Sequence, residues 1–418
     1  MAFRFLHMAD IHFDTPFLSR NEEVRRLLKE SMQNAFKAGV ELAVKSAAHA
    51  FLIAGDLFDN DNLSYKTAKF LYEQLDRLND AGIMVFYAAG NHDPEAIIHK
   101  FNFMKWPEYV YIFDRAEPEK VFVKDTDGNV VGVVHGAGHE SKREGRNLAK
   151  AFGKAVPGVP NVGLLHTFVT GLKVSLGYEN YAPCSLEDLK GLDYSYWALG
   201  HIHKRAEILD KPMAVYPGNL IGRNPNETGP KGAYLVEIEE NNGLKINFHE
   251  LSPIIWDTVL IDDISDAYDF KRLEDKIYSS VTGYINEKGY DKKLILRGIL
   301  KGSSPLYKEL KNEENVEELQ DSLKDRLGAV SFELICDDLQ RSIDLKEYAG
   351  GTHVIGAALK ILDDIKENPR LLLSLKPDSL AGFMGGNEEE TINYLKSLLD
   401  NMEAEVVYRM TGGDGNEV

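Results

Sequence analysis

A chain of 418 residues is too long for one compact domain and predicts two or three, with a hydrophobic share of 44% and a charged share of 27% that are ordinary for a globular protein. Two cysteines, Cys184 and Cys336, exclude a disulfide framework and point to the cytoplasm; Met1 to Asp10 does not read as a secretory leader, and no apolar run approaches the ~18 residues of a membrane span. The formal charge of −18 argues against a free-standing nucleic-acid binder, so a nucleic-acid substrate would need help in being held.

The first part alternates strands and helices. Phe3 to Ala9 is an apolar strand ending at Asp10. Ser19 opens a capping box with Glu22, and a long helix is predicted to run to about Ala47. Phe51 to Ala54 is a buried strand ending at Gly55-Asp56. Ser64 caps a second helix, in which Ala68, Leu71, Leu75 and Leu78 keep helical spacing and Gly82 provides the stop. Ile83 to Ala88 is a third strand, ending at Gly90-Asn91. Further short strands are predicted at Val121 to Val123, Val130 to His135, Val162 to Leu165, Ala198 to Leu199, Ala214 to Tyr216 and Ala233 to Ile238. The economical architecture is a two-sheet αββα sandwich.

After about Trp256 the pattern changes to a small α+β unit, with strands at Thr258 to Ile261, Lys293 to Leu300 and Val330 to Ile335 and a charged helix over Leu306 to Leu327. Gly350-Gly351 breaks the chain again. Two amphipathic helical stretches follow, His353 to Lys366 and Glu388 to Met402, and Gly412 to Val418 reads as a disordered end. The predicted domains are 1–255, 256–348 and 349–418.

Five polar clusters fall at strand ends in the first half: Asp10-Ile11-His12, Gly55-Asp56, Gly90-Asn91-His92-Asp93, His166 and Gly200-His201-Ile202-His203. Each alone has a plain reading. Asp-x-His occurs by chance, Gly-Asp is a common turn, Asn91 can cap a helix, and His166 can be a core histidine. Two histidines at i, i+2 on a loop are seldom there for packing. The set decides, because the ends of strands in open α/β folds converge on one crevice. Carboxylates, imidazoles and one amide gathered there make the donor set for a pair of divalent metal ions, and such pairs hydrolyse phosphate esters.

The order of these clusters over residues 10–203 resembles the calcineurin-like metallophosphoesterase superfamily, and within it the DNA-repair exonuclease branch of the SbcD and YhaO type. The branch rests on Tyr216-Pro217-Gly218-Asn219, on the run from Asn226 to Gly232, on the chain length and on Leu296-Arg297-Gly298. The resemblance implies a four-layer αββα metallophosphoesterase sandwich, a small α+β capping domain that guides DNA, and a helical tail. It also implies one metal held by Asp10, His12, Asp56 and His203 and a second held by Asp56, Asn91, His166 and His201, with Asp56 bridging. Manganese is the expected metal, with iron or magnesium as the other fits, and the chemistry is attack by a two-metal-activated hydroxide.

His92 lies outside this ligand set. The resemblance places it beside the scissile phosphate, with Asp93 as a carboxylate that would keep it charged. One departure is Asp14, where the branch often has glycine; the residue reads as a group behind a ligand histidine or as a helix or turn cap. For substrate, Lys204, Arg205 and Arg223 are the nearest basic residues. Lys142, Arg143, Arg146 and Lys150 form another group, interleaved with Glu140 and Glu144, that reads equally as a solvated face.

The implied function is a DNA exonuclease acting in repair, with DNA and an SMC-like ATPase bound by the C-terminal region as partners, no membrane, and homodimerisation left open. The tail reads equally as an appendage packing on its own domain. The alternatives are a metallophosphatase or cyclic-nucleotide phosphodiesterase on small substrates, and a non-catalytic scaffold of an ATPase complex.

Overall fold

The structure, a computed structural model, describes residues 2–17, 21–59, 63–98, 106–175, 177–239, 243–341, 354–375, 388–399 and 402–410. Expectations at Ser19, Gly350-Gly351, His353 and Gly412 to Val418 lie outside the described residues. The chain divides into two compact units: Met1–Thr258 with Lys288–Arg297 and Gly328–Phe332, and Val259–Glu287 with Gly298–Leu327 and Glu333–Val418.

The first unit is built from Phe3–Met8 (β1), Glu22–Lys45 (α1), Ala50–Ala54 (β2), Tyr65–Asp80 (α2), Met84–Ala88 (β3), Glu95–Ile98 (α3), Val110–Phe113 (β4), Glu119–Lys124 (β5) and Val130–Gly136 (β6). It continues with Asn161–His166 (β7), Leu186–Lys190 (α4), Tyr196–Gly200 (β8), Ala206–Asp210 (β9), Met213–Tyr216 (β10), Gly232–Ile238 (β11) and Leu244–Glu250 (β12). One six-stranded sheet has the order β12-β11-β1-β2-β3-β4 and the other β5-β6-β7-β8-β10-β9. Strands β1 to β4 are mutually parallel, and so are β6 to β8, so their carboxyl ends share an edge.

Side-chain alternation along each strand makes the layers. Phe3 and Phe5 of β1, Leu52 of β2 and Phe86 of β3 point at the second sheet, where they bury against Val134, Val162, Leu164, Tyr196 and Val215. Leu6 and Met8, Phe51 and Ile53, Val85 and Tyr87 point the other way, onto Leu28, Phe36 and Val40 of α1 and Leu71 and Leu75 of α2. The outer face of the second sheet is covered by Leu148, Phe152 and Leu189. The result is a four-layer αββα sandwich.

Helix α1 starts at Asn21, whose side chain accepts from the Val24 N–H, and α2 starts at Ser64, whose hydroxyl accepts from the Thr67 N–H. The strands of the two six-stranded sheets that are missing from the sequence reading, β4, β9 and β12, are all sheet edges. An edge strand has one partner and one wet side, so its apolar pattern is broken; β9 and β12 alternate between half-buried and exposed residues along their length.

Strands Ile254–Ile261 (β13), Lys293–Leu300 (β14) and Ser331–Ile335 (β16) form a three-stranded sheet, and Gly302–Ser304 (β15) pairs in parallel with Leu339–Arg341 (β17). Helices Phe270–Lys288 (α5) and Glu313–Leu327 (α6) bury Leu273, Ile277 and Val281 and Leu319 and Leu323 respectively. The C-terminal part holds Val354–Glu367 (α7), Pro369–Ser374 (α8), Glu388–Leu398 (α9) and Met402–Met410 (α10). The added helix α8 follows from Pro369 at its first turn and from Asn368, whose side chain caps the Arg370 and Leu371 N–H groups. Lys366 pairs with Glu403, and the Arg341 guanidinium lies 3.2 Å from the centre of the Tyr408 ring. Among the described residues no helix is long and apolar enough to cross a membrane.

Phe86 is fully buried between the sheets and stacks on Tyr111 at 5.3 Å between ring centres. Phe86→Ala is expected to lower the unfolding free energy by about 3–5 kcal/mol, read from the urea midpoint; an unchanged midpoint would contradict the packing described.

Candidate metal centre

Five loops leave the shared carboxyl edge and turn inward at once. The turns are abrupt enough that Asp10, His12, Asp56 and His201 all have positive φ, at 51°, 53°, 51° and 106°. Non-glycine residues rarely adopt such angles, and they concentrate where the surrounding structure over-determines them. Backbone bonds hold the first two loops together: Asp10 N–H to Gly55 O at 3.1 Å and His12 N–H to Asp56 O at 2.9 Å. Glycine comes before the turn for a steric reason. A Cβ on Gly200 would lie 1.7 Å from the Ala54 carbonyl oxygen, and one on Gly55 would lie 2.2 Å from His166 Nδ1.

Seven predicted side chains meet as two overlapping groups. In the first, His12 Nε2 lies 3.4 Å from His203 Nε2 and 3.6 Å from Asp56 Oδ2, while His203 Nε2 lies 3.8 Å from Asp10 Oδ1. In the second, His166 Nε2 lies 3.5 Å from the same Asp56 Oδ2 and 3.0 Å from Asn91 Oδ1, which is 3.1 Å from His201 Nδ1. Donors bound at about 2.0–2.2 Å to a common ion stand roughly this far apart. Asp56 Oδ2 belongs to both groups, because Oδ1 is occupied by the His92 N–H at 2.9 Å.

Three of the four donor histidines are held by their second nitrogens. His166 Nδ1 is 2.9 Å from the Ala54 carbonyl oxygen, His201 Nε2 is 2.7 Å from that of Glu179, and His203 Nδ1 is 2.8 Å from Glu227 Oε1. In each pair the ring N–H donates outward, so the other nitrogen keeps its lone pair for the centre. Burial reinforces this state. It pushes His12 well below its ordinary pKa, His166 to about 3 and His201 to about 4, so these rings are neutral at pH 7. Burial raises Asp10 well above the usual carboxylate range, with the charge of Asp56 adding to it. Burial also works to raise Asp56, but His166 and His92 outweigh it and hold that carboxyl low. A cage of neutral imidazoles around two buried carboxylates, with two Nε2 atoms facing each other, fits divalent cations as its missing component.

His92 stands at the edge of this cage, its side chain 31% exposed. Its carboxylate partner is Asp59, not Asp93. His92 Nδ1 lies 2.9 Å from Asp59 Oδ1, and Asp59 Oδ2 accepts from Thr15 Oγ1 at 3.0 Å. Burial alone would lower the His92 pKa; the bond to Asp59 and the charges of Asp56 and Asp59 reverse this and raise it. Asp93 is fully buried and staples the loops instead, accepting from the N–H groups of Gly90 at 2.8 Å, Phe58 at 3.0 Å and Asp56 at 3.2 Å. Side chains of adjacent residues on a tight turn diverge, which is why sequence adjacency pointed to the wrong carboxylate. Asp14 is a helix cap: it accepts from the Ser64 N–H at 2.6 Å and from Thr67 Oγ1 at 2.8 Å, at the start of α2.

Residues 3–205 match the calcineurin-like phosphoesterase family. A metallophosphoesterase of Bacillus subtilis, YhaO, is 32% identical over 306 residues, which are 72% of this chain and 72% of the relative. The chain belongs to the calcineurin-like phosphoesterases. A protein of Sulfolobus acidocaldarius named DNA double-strand break repair protein Mre11 is 24% identical, over 73% of this chain and 76% of its own. Another of the same name, from Methanocaldococcus jannaschii, is 27% identical over 57% and 63%. Calcineurin-like phosphoesterases use a dinuclear metal centre, and the two groups that share Asp56 are the candidate donors here.

Of the basic residues expected near substrate, this phosphoesterase places only Lys204 in the wall of a pocket beside His203. Arg205 lies over the Phe248 ring, 4.1 Å from its centre. Arg223 turns inward, its Nη2 3.6 Å from Glu227 Oε1, so it pairs with the carboxylate that orients His203. Arg146 is taken by Glu140 at 2.7 Å and Glu144 at 2.6 Å, so it is spent on the carboxylates interleaved with it. Sequence reasoning missed Asp59, Glu227 and Lys231. Asp59 follows Asp56 by three residues, and Glu227 and Lys231 fall inside the 226–232 run, so each stood near a flagged motif.

His203→Ala is expected to lower bound divalent metal from about two ions per chain to about one, measured by mass spectrometry of metal content after desalting. A wild-type metal content in that variant would remove His203 from the donor set.

Proposed function

We propose that the chain is a manganese-dependent DNA exonuclease of the repair branch, hydrolysing phosphodiesters at the Asp56-bridged centre. The observation that carries the reading is the sharing of Asp56 Oδ2 between two donor groups, with His92 held beside them by Asp59. When bound, two divalent ions supply an acidified water and neutralise charge on the phosphoryl oxygens. The protein's own groups do the rest. Asp10, His12, Asp56 and His203 would hold one ion, and Asp56, Asn91, His166 and His201 the other. Glu227, Ala54 O and Glu179 O keep the imidazoles in the binding tautomer. Asp59 holds the Nδ1 side of His92, leaving Nε2 to carry a proton to the departing oxygen.

The DNA substrate is supported by the similarity to the two proteins named for double-strand break repair. Manganese suits a mixed oxygen and imidazole donor set, with iron or magnesium as the competing fits. An SMC-like ATPase as partner is supported by exposed apolar side chains on the C-terminal helices, among them Val354, Ile361, Leu371 and Leu398. A partner of that kind would also offset the formal charge of −18 in holding DNA. Both cysteines are unpaired, which suits a reducing cytoplasm.

The test is to incubate the full chain with Mn²⁺ and end-labelled duplex and single-stranded DNA, beside bis-p-nitrophenyl phosphate and p-nitrophenyl phosphate. Release of nucleotides from DNA, stopped by EDTA, is expected. Intact DNA with fast turnover of a small ester would sink the nuclease reading. His92→Ala is expected to lower kcat by about 10²–10⁴-fold with two ions still bound, and Asp59→Asn by about tenfold or more. Full activity in Asp59→Asn would show that this carboxylate does not position His92.

A further inference from the structure

Beside the metal centre lies a pocket of about 540 Å³, lined among others by Lys173, Lys204, Lys231, Tyr178, Asn226 and His203. All its lining residues belong to the first compact unit. His203 is common to the pocket and to the donor cage, so the pocket begins where the first metal group ends. Three lysines in one small wall are notable in a chain whose formal charge is −18.

The charge of the pocket is not cancelled from within. Glu227 is the acidic side chain in its wall, and both its oxygens are taken. Oε1 is bound to His203 Nδ1 at 2.8 Å; Oε2 accepts from Asn219 Nδ2 at 2.6 Å and the Arg223 N–H at 2.7 Å. The Arg223 guanidinium, 3.6 Å from Oε1, offsets its charge. Lys231 is only 6% exposed, and its Nζ donates to the His203 carbonyl oxygen at 3.0 Å. An ammonium has three donors, so two remain for something in the pocket. Lys173 and Lys204 are exposed at its rim, and Asn226 and Thr228 add neutral polar groups. A buried ammonium at Lys231 with two exposed ones at the rim, none of them in an ion pair with a carboxylate among the described residues, makes a site for an anion.

We propose that this pocket is a phosphate subsite, which takes the phosphate next to the scissile one on a nucleic-acid strand. The inference rests on the phosphodiesterase reading above and adds to it a reason for preferring a chain of phosphates over a single ester. The metal cage holds the reacting phosphate, and Lys173, Lys204 and Lys231 hold its neighbour and so set the strand in register.

The test compares thymidylyl-thymidine, which has one phosphodiester, with the same dinucleotide carrying a second phosphate at its 5′ or its 3′ end. One of the phosphorylated forms is expected to show a KM about tenfold lower in the wild-type protein, as one charge-assisted contact set would give. Lys173→Gln and Lys204→Gln, both at exposed positions, are each expected to cut that advantage by about threefold or more, and Lys204→Arg to restore it. No advantage from either terminal phosphate, or an advantage untouched in both variants, overturns the subsite.

A binding arm separates the subsite from the nuclease reading. Anisotropy of a labelled, terminally phosphorylated trithymidylate is followed with the full chain in EDTA across a range of salt. Each Lys→Gln change is expected to weaken binding and to reduce the slope of log K against log salt by about 0.7. Weakened binding without any DNA hydrolysis would keep the subsite and discard the nuclease. Hydrolysis with binding and slope unchanged in both variants would keep the nuclease and discard the subsite.

Discussion

The burial of two carboxylates at one point, Asp10 and Asp56, governs how the rest of this sandwich is built. Their oxygens lie within 4.8 Å of each other and of a His166 nitrogen, with both residues almost fully out of water. Two full charges at that distance repel by roughly 3.5 kcal/mol at an effective dielectric of about 20, before any desolvation. Against burial, His166 and His92 hold Asp56 low, whereas burial and the charge of Asp56 still push Asp10 up. Positive φ at both aspartates adds strain. An arrangement this unfavourable as bare protein makes sense as a receptor for positive charge, and the donor geometry is that of metal ligation.

Holding such a receptor together requires the two sheets to approach more closely at this edge than side chains allow. Gly200 abuts the Ala54 carbonyl, and Gly55 abuts the His166 ring, so glycine in these motifs is steric before it is conformational. Asp93 then ties the Gly90 turn to the loop after β2 through three backbone N–H groups. The centre is therefore supported by backbone pairing on one side and by histidine second-nitrogen bonds on the other. That division explains why its supporting residues, Glu227 and Asp93, spend their carboxyl oxygens on hydrogen bonds within the protein.

What could be read in the sequence follows the same division. Residues that end a strand and turn at once into the crevice were legible, since the apolar run and the donor are contiguous, with a glycine between them at Gly55, Gly90 and Gly200. Asp10, His12, Asp56, Asn91, His166, His201 and His203 are all of this kind, and the structure brings them together. Residues that act by folding back across space were not. Glu227 reaches His203 over 24 positions, and Lys231 reaches the His203 carbonyl over 28. Periodicity carries no information about such contacts. Asp59 sat between the two cases: its spacing from Asp56 was visible, but adjacency favoured Asp93 until the turn was seen to aim that side chain at the backbone. The edge strands β9 and β12 escaped for the opposite reason, having no buried residue to mark an apolar face, and β4 is only four residues long.

The acidity that argued against a free-standing nucleic-acid binder is thus a statement about the whole chain and not about the site. Where carboxylates gather in the crevice they are buried and turned inward, as donors at Asp10 and Asp56 or as an orienting group at Glu227. Where ammonium groups gather, at Lys173, Lys204 and Lys231, they line a pocket that opens beside His203. A phosphate arriving here meets positive charge on both sides of His203, from the ions that the cage is shaped to hold and from the lysines of the pocket. Fields of this kind decay within about 8–10 Å at physiological salt. Most of the negative charge spread over the rest of the surface is then screened from the crevice, and local arrangement outweighs the net sum.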